Sequence, residues 1–331
     1  MTEQDTSTAA LVSTVPACTI SILGVLPEDF ARNIGNATEI YLKEFGKWID
    51  LSTLDGVTIA EDYIQALNQL DRGYQTNRVL TPTKDIATGV AMSPRVLRDG
   101  QLKTHILFDA RVFKPIADTK DPGFAQAFYL LAHECAHVEV TAKFDSVFPG
   151  ELLRRQFGSM QLRHWSIILP AWDEYAACRK SFSIGADQTE SYEQILLDCL
   201  EKTPAENNAA LSAYRNDQND DQLLTEVYRV HGQLLTAASY YLGYLAGRGE
   251  SWEDRAPTNQ KLSGSWFHPF LVRLDECLTC IWSQYGAWAD QSDFEEIGNI
   301  ADDMTELGGV YWMPMRDGST QVQLSENEFS D

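Results

Sequence analysis

Residues 121–140, DPGFAQAFYLLAHECAHVEV, combine a helix start, an apolar stripe and two closely spaced histidines. Asp121 can cap a helix in which Pro122 occupies the first turn. Backbone N–H groups in that turn have no partner within the helix, so proline, which lacks an N–H, costs no hydrogen bond there. The apolar residues that follow recur at helical spacing: Phe124, Phe128, Leu131, Ala132 and Cys135. This periodicity predicts an α-helix from about residue 124.

The histidine pair His133 and His137 lies on this predicted helix, with Glu134 directly after the first histidine. Residues four apart lie on the same face of an α-helix, so both imidazoles can point at one atom. Neutral imidazole is a good ligand for Zn²⁺, and a zinc ion with three protein ligands keeps a fourth position for water. Glu134 would project over that water as a general base. The HExxH spacing is a known metallopeptidase signature.

A third metal ligand is needed, and we expect a second helix to supply it. The segment WDEYAACR at 172–179 offers Glu174, with Ala177 one turn later, and Asp173 as the alternative. With these residues the sequence resembles the zincin metallopeptidases of the gluzincin type, in which a glutamate in an ExxA context on a later helix completes an HExxH site. The resemblance implies a Zn²⁺ site formed by the two histidines and Glu174.

The nearest subgroup is the ImmA/IrrE-like cytoplasmic regulatory peptidases, in which a strand-rich segment precedes the HExxH helix. The resemblance covers about residues 100–182. One position departs from it, because related sites often place Asp or Asn four residues after the glutamate, whereas this chain has Cys178. A thiol orients an imidazole poorly, so another carboxylate takes that role or the site is tuned differently. Cys178 as a direct ligand stays open.

The resemblance also implies a mechanism. Zinc lowers the pKa of bound water to about 7 and polarises the scissile carbonyl, while Glu134 takes the water proton and passes it to the leaving amine. The strand predicted at 102–113 lies just upstream, and in zincins such an edge strand pairs with an extended substrate, so we expect peptide binding there. A donor must also stabilise the oxyanion. The candidates are His268, His231 and Tyr175, each with a structural role as the alternative.

The composition limits the classes of partner. The chain has 331 residues, a formal net charge of -22 and a pI near 4.6. Such an acidic surface repels nucleic acid phosphates and anionic membranes, so we expect neither as a direct ligand, whereas a basic protein or peptide is compatible. No apolar run reaches the roughly 20 residues of a membrane helix, and the N-terminus lacks the basic segment of a signal peptide. The six cysteines show no disulfide-framework spacing, which predicts a cytoplasmic protein.

These patterns predict an α+β fold in which residues 1–185 form a zincin-like domain with a small antiparallel sheet and the HExxH helix. Residues 186–331 are predicted to form a mostly helical half with an acidic C-terminal segment. The predicted elements are helices at 27–48 and 60–70, strands at 87–97 and 102–113, the helix from 124, a helix starting near Pro170, helical segments separated by polar stretches at 203–222 and 248–265, and a strand pair around Asp317-Gly318.

The function predicted from these residues is a cytoplasmic zinc-dependent peptidase, and the family resemblance implies one or few protein targets. Two alternatives stay open. A non-peptidase zinc amidohydrolase could use the same constellation on another amide bond. An acidic interaction protein, or a DNA mimic, could carry the same residues as a structural or inert metal site.

Overall fold

The computed structural model describes residues 11–76, 79–81, 89–154, 159–315 and 320–329. The fold is α+β, as predicted, with a small mixed sheet, a two-stranded antiparallel sheet and a mostly helical C-terminal half. The chain forms two compact units, one of Met1–Thr81 and Val90–Glu139 and the other of Pro82–Gly89 and Val140–Asp331. The division into domains 1–185 and 186–331 stays a prediction, because the two compact units do not by themselves define domain boundaries.

The first unit contains most of the strands. Its elements are β1 (Thr19–Leu23), α1 (Glu28–Phe45), β2 (Leu54–Ala60), α2 (Tyr63–Gln69), β3 (Ala91–Met92), β4 (Arg95–Arg98), β5 (Gln101–Asp109), α3 (Ala110–Phe113) and the first part of α4 (Phe124–Val147). The helices predicted at 27–48 and 60–70 correspond to α1 and α2. Two acidic residues in the first turn favour the start of α1, and Asp62 caps α2 by accepting from Gln65 N–H.

The five-stranded sheet is mixed, and the prediction of an antiparallel sheet is wrong. β1, β2 and β5 run parallel in that order, while β3 and β4 pair antiparallel with the other side of β5. Parallel neighbours need a crossover connection, and α1 supplies it between β1 and β2. The sequence pattern missed β2 as a strand because residues 56–60 are all buried and show no polar alternation.

β5 lies inside the sheet and is not the edge strand predicted at 102–113. It ends at Asp109, whose carboxylate caps the short helix α3. The side of β5 that the alternation predicted to face solvent is covered, because Leu107 packs with Tyr63 and Leu67 of α2. A strand with neighbours on both edges cannot accept a substrate strand.

The helix predicted over the HExxH segment is confirmed. It is α4, which runs without interruption from Phe124 to Val147. Residues 131–140 are all buried, so the helix is covered on every side along this stretch and not only along the apolar stripe. The polar side chains of the motif therefore lie in a low-dielectric environment.

The described residues of the second unit are mostly helical, with one strand pair near the C-terminus. Beyond the end of α4 it contains α5 (Glu151–Arg154), α6 (Ser159–Ser181), α7 (Thr189–Asp217), α8 (Asp220–Arg248), α9 (Ala256–Ser263), α10 (His268–Ser283), α11 (Glu295–Leu307), β6 (Val310–Pro314) and β7 (Thr320–Leu324). β6 and β7 pair antiparallel as predicted, and the turn Asp317-Gly318 lies outside the described residues. In the described part of the chain, no helix combines the length and apolarity needed to cross a membrane.

Two predicted helix boundaries in this unit are wrong. The helix expected to start near Pro170 begins at Ser159, with the proline inside it. The polar stretch at 203–222 does contain the break between α7 and α8, but only its residues 218–219 are non-helical. Both errors come from treating proline and polar composition as breaks, whereas packing of the other face keeps these long helices intact.

α6 and α8 pack closely in the second unit, and a glycine makes the approach possible. A Cβ atom on Gly243 of α8 would lie 2.2 Å from the carbonyl oxygen of Tyr175 on α6. The neighbouring Trp172 packs edge-to-face against Trp288 with ring centroids 5.5 Å apart. This packing fixes the part of α6 that carries Glu174.

Candidate metal centre

The two histidines of the motif face one another on α4. Their Nε2 atoms are 3.1 Å apart, and their rings are nearly perpendicular, at 88°. His133 and His137 are each only 6% exposed. One helical turn before the first histidine, the hydroxyl of Tyr129 lies 3.5 Å from Nδ1 of His133. That contact is long for a hydrogen bond, but it places a polar group on the ring nitrogen that faces away from the partner histidine.

Glu174 of α6 completes the group that the sequence predicted. His133, His137 and Glu174 each offer one ligand atom, and these atoms all lie within 4.8 Å of one another. Both histidines are buried, and the glutamate is half-buried. Among the described residues, neither the alternative ligand Asp173 nor Cys178 belongs to this group. The structure therefore brings together the three residues chosen as ligands.

The spacing of this group can be compared with that around a tetrahedral zinc ion. With Zn–N bonds of about 2.0–2.1 Å, two imidazole nitrogens lie roughly 3.3 Å apart, close to the observed 3.1 Å. Two nitrogens and one carboxylate oxygen form a donor set that zinc accepts, with a fourth position left over. The residues thus fit a divalent metal ion. Because imidazole and carboxylate suit several such metals, the donor set alone does not select zinc.

Glu134 projects from the same turn of α4 but in a different direction. Successive helical residues are about 100° apart, so its side chain diverges from the face that carries the histidines. It is 6% exposed, and its Oε2 accepts a hydrogen bond from the hydroxyl of Ser93 at 2.6 Å. Ser93 lies in the short link between β3 and β4. The carboxylate is thus both buried and oriented.

The charge of the same carboxylate also acts on a buried phenol, that of Tyr63. Tyr63, at the start of α2, is buried, and its hydroxyl has no hydrogen-bond partner among the described residues. Burial, followed by the charges of Glu134 and Asp109, raises the pKa of Tyr63 well above its usual value. The phenol therefore stays protonated at physiological pH and remains a hydrogen-bond donor.

The three candidate oxyanion donors have partners within the second unit. His231 of α8 is fully buried, with Nδ1 2.9 Å from the hydroxyl of Thr305. His268, the first residue of α10, packs edge-on against Trp252. Tyr175 is also buried, and its hydroxyl accepts a hydrogen bond from Arg179. These contacts give each side chain a structural role, and a part in catalysis stays a prediction.

A second cluster of polar side chains lies on the sheet. The ring of His105 on β5 has Nδ1 2.9 Å from Asp55 and Nε2 2.9 Å from the hydroxyl of Thr58. The order Thr–His–Asp is that of a nucleophile, base and orienting acid. However, Thr58 is buried in the middle of β2, where a substrate cannot reach its hydroxyl. The cluster links β2 to β5, and burial is the main cause that lowers the pKa of His105.

Sequence reasoning missed three polar side chains near the motif. Tyr129 precedes His133 by four residues, so helical spacing could have indicated it. Ser93 and Tyr63 belong to no motif, and Ser93 lies 41 residues before Glu134. Their proximity depends on strand pairing and on how α2 covers the sheet, which no local pattern reveals.

No protein family model, curated protein or solved structure matches this chain. The identification of the metal centre therefore depends on the residues and their geometry alone.

Proposed function

We propose that this protein is a zinc-dependent hydrolase that cleaves peptide bonds. The observation that carries the proposal is the convergence of His133, His137 and Glu174 while Glu134, the adjacent residue of the motif, is held by a separate hydrogen bond. Three protein ligands with an open fourth position are typical of catalytic zinc sites, and an adjacent carboxylate can serve as the general base.

Each residue has a distinct task in this proposal. His133, His137 and Glu174 would hold the metal ion, and a zinc ion bound there would polarise the carbonyl of the substrate and make a water molecule more acidic. Glu134 accepts a proton from the attacking water and later delivers it to the nitrogen of the leaving amine. The water oxygen ends on the carbonyl carbon as the C–N bond breaks, so that one carboxylic acid and one amine result.

The outer edge of the sheet near Glu134 is the feature that favours a peptide as the substrate. β3 and β4, which each pair with β5, form an outer edge in place of the segment 102–113, and Ser93 between them contacts Glu134. On β4, Leu97 N–H already donates to the carbonyl of Arg72, which leaves β3 as the strand that we propose to pair with the substrate backbone. An extended peptide can pair with such an edge through its backbone.

The cysteines and the net charge support proposals about the cellular location and the kind of protein partner. None of the six cysteines, all of which lie in the described part of the chain, forms a disulfide. This is the state expected in a reducing compartment, and we therefore propose a cytoplasmic location. The net charge of -22 favours approach of basic protein segments. Restriction to one or few protein targets rests on the likeness to ImmA/IrrE-like peptidases alone.

Metal content is the first test. We expect the purified wild-type protein to contain one zinc ion per chain and His133→Ala to contain none. His164→Gln is the matched control, because that imidazole bonds Asp302 and lies outside the ligand group. Stoichiometric zinc in His133→Ala would contradict the ligand assignment.

Hydrolysis is the second test. The chelated protein, with and without added zinc, is incubated with unfolded casein, a mixture of quenched fluorescent peptides and a panel of small acyl anilides. We expect zinc to restore cleavage of the peptides, and Glu134→Gln to keep zinc while losing at least about 100-fold in kcat/KM. Undiminished hydrolysis by Glu134→Gln would refute the proposal.

The same assay separates the alternatives. Cleavage of anilides without cleavage of peptides would favour the amidohydrolase. Zinc bound at one ion per chain, with no hydrolysis of any substrate, would favour an acidic interaction protein with a structural metal site.

A further inference from the structure

We propose that Ser93 is a positioning residue that holds the carboxylate of Glu134 in its reactive orientation. This inference rests on the proposed function, since it assigns a role to the group that supports the general base. The observation that supports it is the hydrogen bond from the Ser93 hydroxyl to the Glu134 carboxylate, two residues that no sequence motif connects.

The hydrogen bond has the geometry of a strong one. The Oγ of Ser93 lies 2.6 Å from Oε2 of Glu134 and 3.3 Å from the backbone oxygen of the same residue. A hydroxyl has a single proton to donate, and the shorter contact identifies the carboxylate as its acceptor. A separation of 2.6 Å is typical of a hydroxyl that donates to an ionised carboxylate.

The backbone on both sides of Ser93 is fixed, so the hydroxyl is a rigid anchor. Before it, Met92 of β3 pairs with Leu107 of β5. After it, the carbonyl of Pro94 accepts from His105 N–H at 3.0 Å, and the proline ring restricts its own φ angle. The donor thus moves with the sheet, while its acceptor belongs to α4.

A glutamate side chain needs such an anchor. Its three rotatable bonds give it one of the largest losses of rotamer freedom on ordering. A displacement of about 1 Å at a reacting group can cost roughly 100-fold in rate. The Ser93 hydrogen bond fixes one carboxylate oxygen and thereby sets the direction in which the other one points. Ser93 itself exchanges no proton with the substrate.

The pairing can be measured without activity, in metal-free protein. In a double-mutant cycle, Ser93→Ala should lower the urea midpoint of unfolding when Glu134 is present and leave it unchanged in a Glu134→Ala background. Equal effects of Ser93→Ala in the two backgrounds would show that the side chains are not coupled and would overturn the inference.

The positioning role is measured with zinc-loaded protein on the quenched fluorescent peptides. Ser93→Ala should lower kcat by 10- to 100-fold, with KM within twofold and zinc content unchanged, whereas Ser93→Thr should restore most of kcat. Ser146→Ala is the matched control, because the Ser146 hydroxyl donates to the carbonyl of Lys143 near the end of α4. We expect that control to leave kcat unchanged.

In the activity assay, three outcomes overturn the inference in distinguishable ways. If the wild type cleaves the peptides and Ser93→Ala matches its kcat, Ser93 has no positioning role and the proposed function stands. A rise in KM alone would assign Ser93 to substrate binding instead. If the wild type hydrolyses no substrate, the proposed function fails and the catalytic role of Ser93 fails with it, even where the cycle shows coupling.

Discussion

Acid should destabilise the protein through His231, because the folded protein accommodates only the neutral form of this imidazole. Its Nδ1 lies 2.9 Å from the hydroxyl of Thr305, and that hydroxyl donates to the carbonyl of Ala301 at 2.7 Å. The Thr305 oxygen must therefore accept, which puts the imidazole proton on Nδ1. The other nitrogen, Nε2, is buried without a hydrogen-bond partner among the described residues. Protonation there would place a charge in an apolar environment, and burial accordingly lowers the pKa of His231 from 6.5 to about 3.

The sign and size of the effect follow from proton linkage. Because the unfolded chain binds the proton at higher pH than the folded one, stability is complete above the unfolded pKa and falls as pH drops below 6.5. At pH 5.5 the loss relative to pH 8 is roughly 1.4 kcal/mol. This figure depends almost entirely on the unfolded pKa, since pH 5.5 lies far above the folded value. A pH of 5.5 also lies above the pI of about 4.6, at which the protein would lose solubility.

His231→Gln is the matched perturbation, because glutamine can donate to Thr305 but does not titrate. Urea unfolding followed by far-ultraviolet circular dichroism at pH 8 and pH 5.5 gives the free energy of unfolding of both proteins. We expect the wild type to lose about 1.4 kcal/mol more than the variant between these pH values. Equal losses would mean that the imidazole titrates alike in folded and unfolded chains, and the reasoning from burial would be refuted.

Two further predictions concern the helix that carries Glu174. At a zinc concentration of 100 times the dissociation constant, the wild type should gain about 2.7 kcal/mol of stability, whereas Glu174→Gln should gain none at the same zinc concentration. Calorimetric melting of both proteins with and without zinc measures this gain. Equal gains would exclude Glu174 as a ligand. Gly243→Ala should destabilise the fold by about 1–3 kcal/mol in urea unfolding, because the new Cβ would lie 2.2 Å from the carbonyl oxygen of Tyr175. An unchanged midpoint would show that α6 and α8 do not pack this closely.

The ligand group could be predicted because its chemistry is tied to local spacing. His133 and His137 share a helix face by virtue of their separation of four residues, whatever the rest of the chain does. Glu174 was chosen from its ExxA context, and α6 carries it as expected even though that helix begins eleven residues earlier than Pro170. A wrong helix start does not change which face of a helix a residue occupies.

The sheet could not be predicted in the same way. The alternation of residues 102–113 indicates a strand with one exposed side, but α2 covers that side and Leu107 is buried beneath it. Strand order depends on which segments pair, and the crossover through α1 makes the sheet parallel where adjacent hairpins would have made it antiparallel. The predicted edge position of segment 102–113 was therefore wrong, because β5 has neighbours on both sides.

This difference explains why the sequence indicates the polar residues of the motif but not the residues that hold them in place. Glu134 is identifiable from its neighbours on the helix, but Ser93 reaches it only because β3 pairs with β5 in a register that sets Met92 opposite Leu107. A shift of that register by one residue would turn Ser93 to the other face of the sheet, since side chains alternate along a strand. The orientation of Glu134 is thus determined by strand pairing, far from the motif in sequence, and changes in β3 should alter that orientation while leaving the group of His133, His137 and Glu174 intact.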